Sequence, residues 1–385
     1  MTRLHVPPTA APSPGAAGPA GDRQVHRLDR NLPAEVQGEL AAFLSGKTAE
    51  AGLLDPRFAA AVGSLSDFVV GGGKRIRPTF AWWGWRGAGG SPDGPEARAV
   101  LRAVSSLELI HACALVHDDI MDDSTTRRGS PTMHVEFAAA HRTSGWLGTS
   151  ERFGSAVAIL LGDIALAWAD DMLRGAGLWP DQLRRAHRVW QAMRTELLGG
   201  QYLDVLTQAC GDEAAEAALQ IDRYKTAAYT VERPLHLGAA IGGAGHALVE
   251  AYRRFGADIG VAFQLRDDLL GMFGDPGVTG KPAGDDLREG KRTLLLAYGL
   301  RTADQQRRGS AADLLRSAIG DQQVDEDTVT AVRELLVELG AVAQVERRIT
   351  ELTDSALAGL RRADLAEPAR AQLIELAEQA TSRTS

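Results

Sequence analysis

The chain has 385 residues, with 42 Lys+Arg against 50 Asp+Glu, a net charge of −8, and 44% hydrophobic residues. That composition excludes a disordered or fibrous chain and is ample for one large core or two smaller ones. The acidic balance argues against general nucleic-acid binding, so a bound anion must be held by a local basic cluster. In chain order, residues 1–25 come first, rich in Pro, Ala and Gly and without apolar periodicity, and they read as a flexible tail. They lack the basic start and continuous apolar stretch of a signal peptide, and no apolar run approaches the roughly 18 residues of a membrane span. With only Cys113 and Cys210, too few for a disulfide framework, the expectation is a soluble protein of the reducing cytoplasm.

Residues 26–385 are expected to form one domain, and from about Pro33 onward the apolar period is helical almost throughout. The spacing predicts helices over 34–45, 56–70, 94–123, 151–175, 180–208, 212–232, 246–273, 311–319 and 326–362. Glycine-rich breakers separate them at 71–73, 87–94 and 274–290. The expected fold class is all-α, a single large helical bundle. Trp82, Trp83 and Trp85 read as core packing rather than as a ligand cage.

Two of these helices are strongly apolar yet end in knots of aspartate. The first knot is His117-Asp118-Asp119-Ile120-Met121-Asp122-Asp123. Asp118 and Asp122 stand at i and i+4 on one face, with Asp119 about 100° around. Like charges at that spacing repel unless a cation bridges them. Oxygen-only ligands with room for water and phosphate suit Mg²⁺. The second knot, Gln264-Leu265-Arg266-Asp267-Asp268, closes another apolar helix. Two such ends in one helical chain suggest facing metal-binding walls across a cavity.

Basic residues supply the counterpart. Only five positions carry lysine, and four of them, Lys74, Lys225, Lys281 and Lys291, fall in or beside motifs. Gly71-Gly72-Gly73-Lys74-Arg75-Ile76-Arg77 is a glycine-loosened turn in which backbone amides, Lys74 and Arg77 can wrap a phosphate. It is not a Walker A loop, because the spaced glycine and the following Ser or Thr are missing. Arg127 and Arg128 follow the first knot, and Lys225-Thr226 lies mid-chain. His111, two turns before Asp118 and roughly 10 Å away, is either a satisfied core histidine or a donor to a second phosphate.

Taken in order, GGGKRIRP, LELIHACALVHDDIMDDSTTRRGSPTMH, KT and FQLRDDLLGMFGDPGVTGKPAGDDLREGKRT resemble the motifs of the trans-isoprenyl diphosphate synthases (polyprenyl synthetases). The likeness runs over roughly residues 30–380 and implies an all-α, Mg²⁺-dependent prenyltransferase, commonly a homodimer. It implies that isopentenyl diphosphate and an allylic diphosphate are the substrates, with about three Mg²⁺ ions when they are bound. By position, Asp118, Asp119 and Asp122 resemble the first aspartate-rich motif, and Asp267 with Asp268 the second. Arg127, Lys225 and Lys281 resemble the residues on the allylic diphosphate, with Gln264 and Thr226 their neighbours. Lys74, Arg77, His111 and Arg128 resemble the isopentenyl diphosphate site, and Lys291 a further basic position.

Chain length is expected to be set below the first motif. Cys113 and Ala114 are small where short-chain members of the family often carry an aromatic plug, and Ile110 and Leu107 lie deeper. A C20 product, geranylgeranyl diphosphate, is the expectation. The second motif departs from the family pattern, since Gly271 stands where a fifth aspartate would be, and Asp275 or Asp285 are the candidates to assist. A class I terpene cyclase is the alternative, against which the GGGKRIRP segment, His111 and the Arg127-Arg128 pair argue. A non-catalytic partner subunit is the other, from which lost charges in one motif are expected.

Overall fold

A computed structural model of the chain describes residues 27–127, 129–274 and 284–382. The expected tail, Arg128, Asp275 and Lys281 lie outside the described residues. The first half is built from α1 (Arg27–Arg30), α2 (Leu32–Leu54), α3 (Pro56–Val70), α4 (Ile76–Gly87), α5 (Gly94–Ser105), α6 (Leu107–Met121), α7 (Met133–Ser144), α8 (Ser150–Arg174) and α9 (Pro180–Cys210). The second half holds α10 (Ala215–Ile221), a π-helical segment (Asp222–Glu232), α11 (Arg233–Gly242), α12 (His246–Phe273), α13 (Asp285–Arg288), α14 (Leu294–Gln305), α15 (Gly309–Ala318), α16 (Glu326–Glu338), α17 (Ala341–Arg362) and α18 (Ala369–Thr381). Among the described residues the only strands are the two-residue pair Thr126–Arg127 and Ser130–Pro131, antiparallel, just after the first acidic knot.

The all-α expectation holds, and its errors are local. The helix expected over 94–123 breaks at Ser106 into α5 and α6, and 326–362 breaks at Gly340, whose φ of +71° suits glycine and stops α16. Helix α4 escaped the periodic reading because it has no polar face: Phe80, Ala81, Trp82, Trp83 and Trp85 are all buried. The tryptophans are core packing, as expected, with Trp82 Nε1 donating to Asp29 at 2.8 Å. The run Gly94–Met121 is long and apolar enough to cross a membrane by composition, but 78% of that window is buried inside the protein. It is a core helix pair.

The buried apolar side chains form two clusters. The larger draws on α2 to α6, α8, α9 and α11, and the smaller on α14 to α17. Helix α12 belongs to both, giving Tyr252, Phe255 and Ile259 to the first and Val261, Leu265 and Leu269 to the second. Its position between two cores fixes the second acidic knot at its C-terminal end. The π segment lies against α9 and α12 at backbone distance. A Cβ at Gly200 would come 2.2 Å from Lys225 N, and one at Gly260 would come 2.5 Å from Ala227 Cα. Only glycine permits that approach, which carries the residues of the π segment to the acidic ends of α6 and α12.

Candidate active site

A cavity of about 690 Å³ opens where α4, α6, α9, the π segment and α12 meet. Its wall gathers Lys74, Arg77, His111, Asp118 and Arg127 from the first half of the chain. The second half adds Lys225, Thr226, Gln264, Asp267, Asp268 and Lys291. Residues 217 positions apart, Lys74 and Lys291, thus share one wall.

Both knots sit at helix C-termini, where the negative end of the dipole adds to the repulsion between carboxylates. Two lysines compensate. Lys225 Nζ lies 2.9 Å from Asp118 and 2.5 Å from Asp204 of α9. Burial alone would pull the Lys225 ammonium down, but Asp118 and Asp204 hold its pKa above the usual lysine value. Lys291 reaches Asp286 at 3.1 Å, Glu289 at 2.5 Å and Asp122 at 3.7 Å, so one ammonium joins the first knot to the loop beside the second. Burial works against the Asp118 carboxylate, yet the two lysines keep its pKa below the ordinary value. Asp122 goes the other way, to about 7, through burial and then through Asp118.

Asp119 takes a different partner from its neighbours. It is turned inward and buried, and its carboxylate accepts from Arg127 Nε at 2.8 and 3.0 Å. The cavity wall includes Arg127 but not Asp119. The resemblance groups Asp119 with the metal-binding aspartates; in this structure its carboxylate is paired with Arg127.

At the other side of the cavity, Arg77 stacks 4.2 Å over the Tyr229 ring and donates to Thr230 at 3.0 Å. The Tyr229 hydroxyl lies 3.2 Å from His111 Nδ1. Arg77 Nε is buried with no hydrogen-bond partner. Lys74 is exposed at the rim, on a loop anchored by Arg75, which pairs with Glu108 at 2.8 Å in the interior. Arg75 adopts φ +50°, a strained value for arginine, held by bonds from its guanidinium to the Val69 and Val70 carbonyls.

On the second knot, Gln264 donates to Asp268 Oδ1 at 2.7 Å, while Asp268 Oδ2 is buried and unpartnered. Burial, followed by Asp286, raises the Asp268 pKa to about 8. The place left by the missing fifth aspartate is filled: a Cβ at Gly271 would meet Asp286 Oδ2 at 2.3 Å. Asp286, rather than the expected Asp285, brings its carboxylate against the motif.

Oxygen donors alone, one of them an orphaned buried carboxylate oxygen, match the preference of Mg²⁺. Among the described residues no three acidic, His or Cys side chains are already gathered closely enough to hold a metal ion. That is consistent with an ion that takes one or two carboxylates and completes its shell from phosphate oxygens and water.

Below Asp118 a second, narrower cavity of about 50 Å³ continues along α6, walled by Ile110, Cys113, Ala114, Leu166 and Leu197. Burial pushes the Cys113 thiol up to about 12, so it is an inert apolar wall. Sequence reasoning missed Asp204, Asp222, Tyr229, Thr230 and Arg292 on the main wall. Arg292 stands beside Lys291 in the quoted GKRT stretch, and the KT dipeptide marks the segment that carries Asp222, Tyr229 and Thr230, but nothing in the sequence singles out Asp204.

Comparison with known proteins adds an independent line. The polyprenyl synthetase family profile matches residues 60–336. The chain is 33% identical over 317 residues to a geranylfarnesyl diphosphate synthase of Aeropyrum pernix, covering 82% of this chain and 91% of that one. It is 34% identical over 287 residues to a (2E,6E)-farnesyl diphosphate synthase of Mycobacterium tuberculosis, covering 73% of each. The fold is similar, at a TM-score of 0.88 and 47% identity, to a geranylgeranyl pyrophosphate synthase from Corynebacterium glutamicum whose crystal structure holds isoprenyl diphosphate and magnesium. That likeness covers 91% of this chain and 98% of the other.

Proposed function

The chain belongs to the polyprenyl synthetase family and is a prenyltransferase of the trans-polyprenyl diphosphate synthase type; from that premise we propose that it joins isopentenyl diphosphate head-to-tail to an allylic diphosphate and releases geranylgeranyl diphosphate (C20). The observation that carries the product length is the narrow cavity beneath Asp118, kept open by Cys113 and Ala114 and bounded by Ile110 and Leu166. An aromatic side chain at either small position would close it at the C15 level.

Asp118, Asp122, Asp267 and Asp268 are the residues that would hold Mg²⁺. The bound ion supplies neutralisation of the charge that develops on the departing diphosphate. Lys225 and Arg127 face the same position and orient that diphosphate, with Thr226 beside them; Lys225 exchanges its Asp118 partner for a phosphate oxygen. Arg77, with its unpartnered Nε, Lys74 and His111 form the pocket for the isopentenyl diphosphate. The homoallylic double bond then attacks the allylic carbon as its C–O bond breaks. The proton lost afterwards goes to the released diphosphate. Lys281 and Arg128 are assigned by family position to the allylic and isopentenyl diphosphates.

We also assign a homodimer, supported by the apolar surface on α8 and α9, where Ile159, Leu160, Leu198 and Tyr202 are exposed.

The test is product sizing. Purified protein is given labelled isopentenyl diphosphate with each allylic starter, with Mg²⁺ or with a chelator, and the dephosphorylated products are separated by chromatography. The expected result is a C20 main product that vanishes without divalent metal, and a shift to C15 in Cys113→Phe. A main product of another length, or an unchanged length in Cys113→Phe, overturns the assignment.

A further inference from the structure

One carboxylate on the cavity wall has no place in that scheme. Asp222 opens the π segment, three residues ahead of Lys225, and is 7% exposed. Its Oδ2 is fully buried and has no hydrogen-bond partner. The acidic neighbours it faces are Asp268 of α12 and Asp204 of α9. Asp204 is satisfied by Lys225 at 2.5 Å and by Gln208 at 3.2 Å. Asp268 has one oxygen bound to Gln264 and the other, like that of Asp222, unshared.

A carboxylate kept for the fold is hydrogen-bonded, because an unsatisfied buried polar atom costs about 1–3 kcal/mol and a buried like-charged neighbour adds to this. Two orphaned oxygens on one cavity wall, neither hydrogen-bonded to a cation and only Asp268 feeling the field of Lys291, are instead the environment that a divalent cation relieves. Asp286, the other carboxylate near the second knot, is engaged by Lys291 at 3.1 Å. That leaves Asp222 as the acceptor with spare capacity beside a motif whose fifth position is Gly271.

We propose that Asp222 is a ligand, together with Asp268, of a divalent cation at the second acidic knot when a diphosphate is bound. The inference rests on the metal site assigned above and extends it to a residue outside both aspartate-rich motifs. The wide turn of the π segment, seated on Gly200 and Gly260, is what directs Asp222 and Lys225 towards the same cavity.

The test counts Mn²⁺ by its free-ion electron paramagnetic resonance signal, in full-length protein saturated with an unreactive allylic thiolo-diphosphate. Asp222→Asn and Asp222→Ser are compared with the wild type and with Asp267→Asn. Both Asp222 variants are expected to weaken one Mn²⁺ site about 10–100-fold, and to unfold, without metal, at the same temperature as the wild type or higher, since a buried carboxyl oxygen without a partner is gone. Wild-type Mn²⁺ binding in both Asp222 variants, with Asp267→Asn impaired, overturns the role of Asp222 alone. A lower metal-free melting temperature in both also overturns it, by making the carboxylate a structural group. Full Mn²⁺ binding in Asp267→Asn overturns the underlying metal site and this inference with it.

Discussion

A guanidinium stacked on an aromatic ring has few rotamers left to lose, so each hydrogen bond it later makes costs little ordering. Arg77 is in that state over Tyr229, with Nε buried and unshared, while Lys74 stands at the rim on a loop that Arg75 and Glu108 tie to the interior. The two have different tasks: Arg77 is pre-positioned, and Lys74 adds a mobile point charge. Lys74→Ala is therefore expected to raise KM for isopentenyl diphosphate about 10–100-fold, the worth of one charge-assisted hydrogen bond, with a much smaller change in kcat. Steady-state rates at saturating allylic diphosphate check it, and an unchanged KM would remove Lys74 from the pocket. At this scale the sequence was most readable where charge is patterned. Aspartates at i and i+4 on apolar helices, and lysines in an arginine-dominated chain, stand out before any folding is known. Asp204 and Asp222 do not, because each is a lone acid whose meaning comes from what another helix places beside it, and nothing in the Asp285-Asp286 pair tells which of the two meets Gly271.

Amphipathicity accounts for part of what the sequence discloses, although α7, α14 and α18 lie outside the ranges expected from periodicity. Helix α17, with one apolar stripe, announces itself, whereas α4 is buried on every side and α11 hides behind Arg233 and Pro234 at its start. The π segment lies inside the helix expected over 212–232, but its wider turn is not written in the spacing, since its register is imposed by the close approach of α9 and α12. Helix α11 also carries a pH response unrelated to catalysis. Burial, then the nearby Arg233 and Arg253, depress the pKa of His236 from its ordinary value to about 4, and its Nδ1 sits 3.1 Å from Arg233. The folded state therefore binds the proton less readily than the unfolded chain. The stability that His236 contributes is present above about pH 6.5 and is lost as pH falls towards 4. His236→Gln is expected to flatten that part of the melting-temperature profile, and an unchanged slope between pH 6.5 and 4 would contradict the assignment.

Across the whole molecule, most large apolar side chains are inside, which makes the exceptions informative. On α8, Ile159 and Leu160 are 46% and 61% exposed, and on α9, Leu198 and Tyr202 are 57% and 65% exposed, with Val205 and Leu206 one turn on. Met121, at the end of α6 and 55% exposed, lies between these helices and touches Gln201. Exposed apolar side chains of this kind on a protein of net charge −8 support the proposed homodimer. The position matters for chemistry, because the same helices wall the narrow cavity that extends below Asp118 through Leu166, Leu197 and Leu198. A second copy docked there would shield that cavity from water and stiffen its wall, which would couple pairing to product length. Sedimentation velocity at micromolar concentration should find a dimer of about twice 41.0 kDa. The double variant Leu160→Glu, Leu198→Glu places charges on both helices and should sediment as a monomer with its helicity intact. Its products should become shorter or more mixed than those of the wild type. A wild-type protein that sediments as a monomer would remove the dimer, and a monomeric double variant with an unaltered product distribution would show that the cavity wall is set by each chain alone.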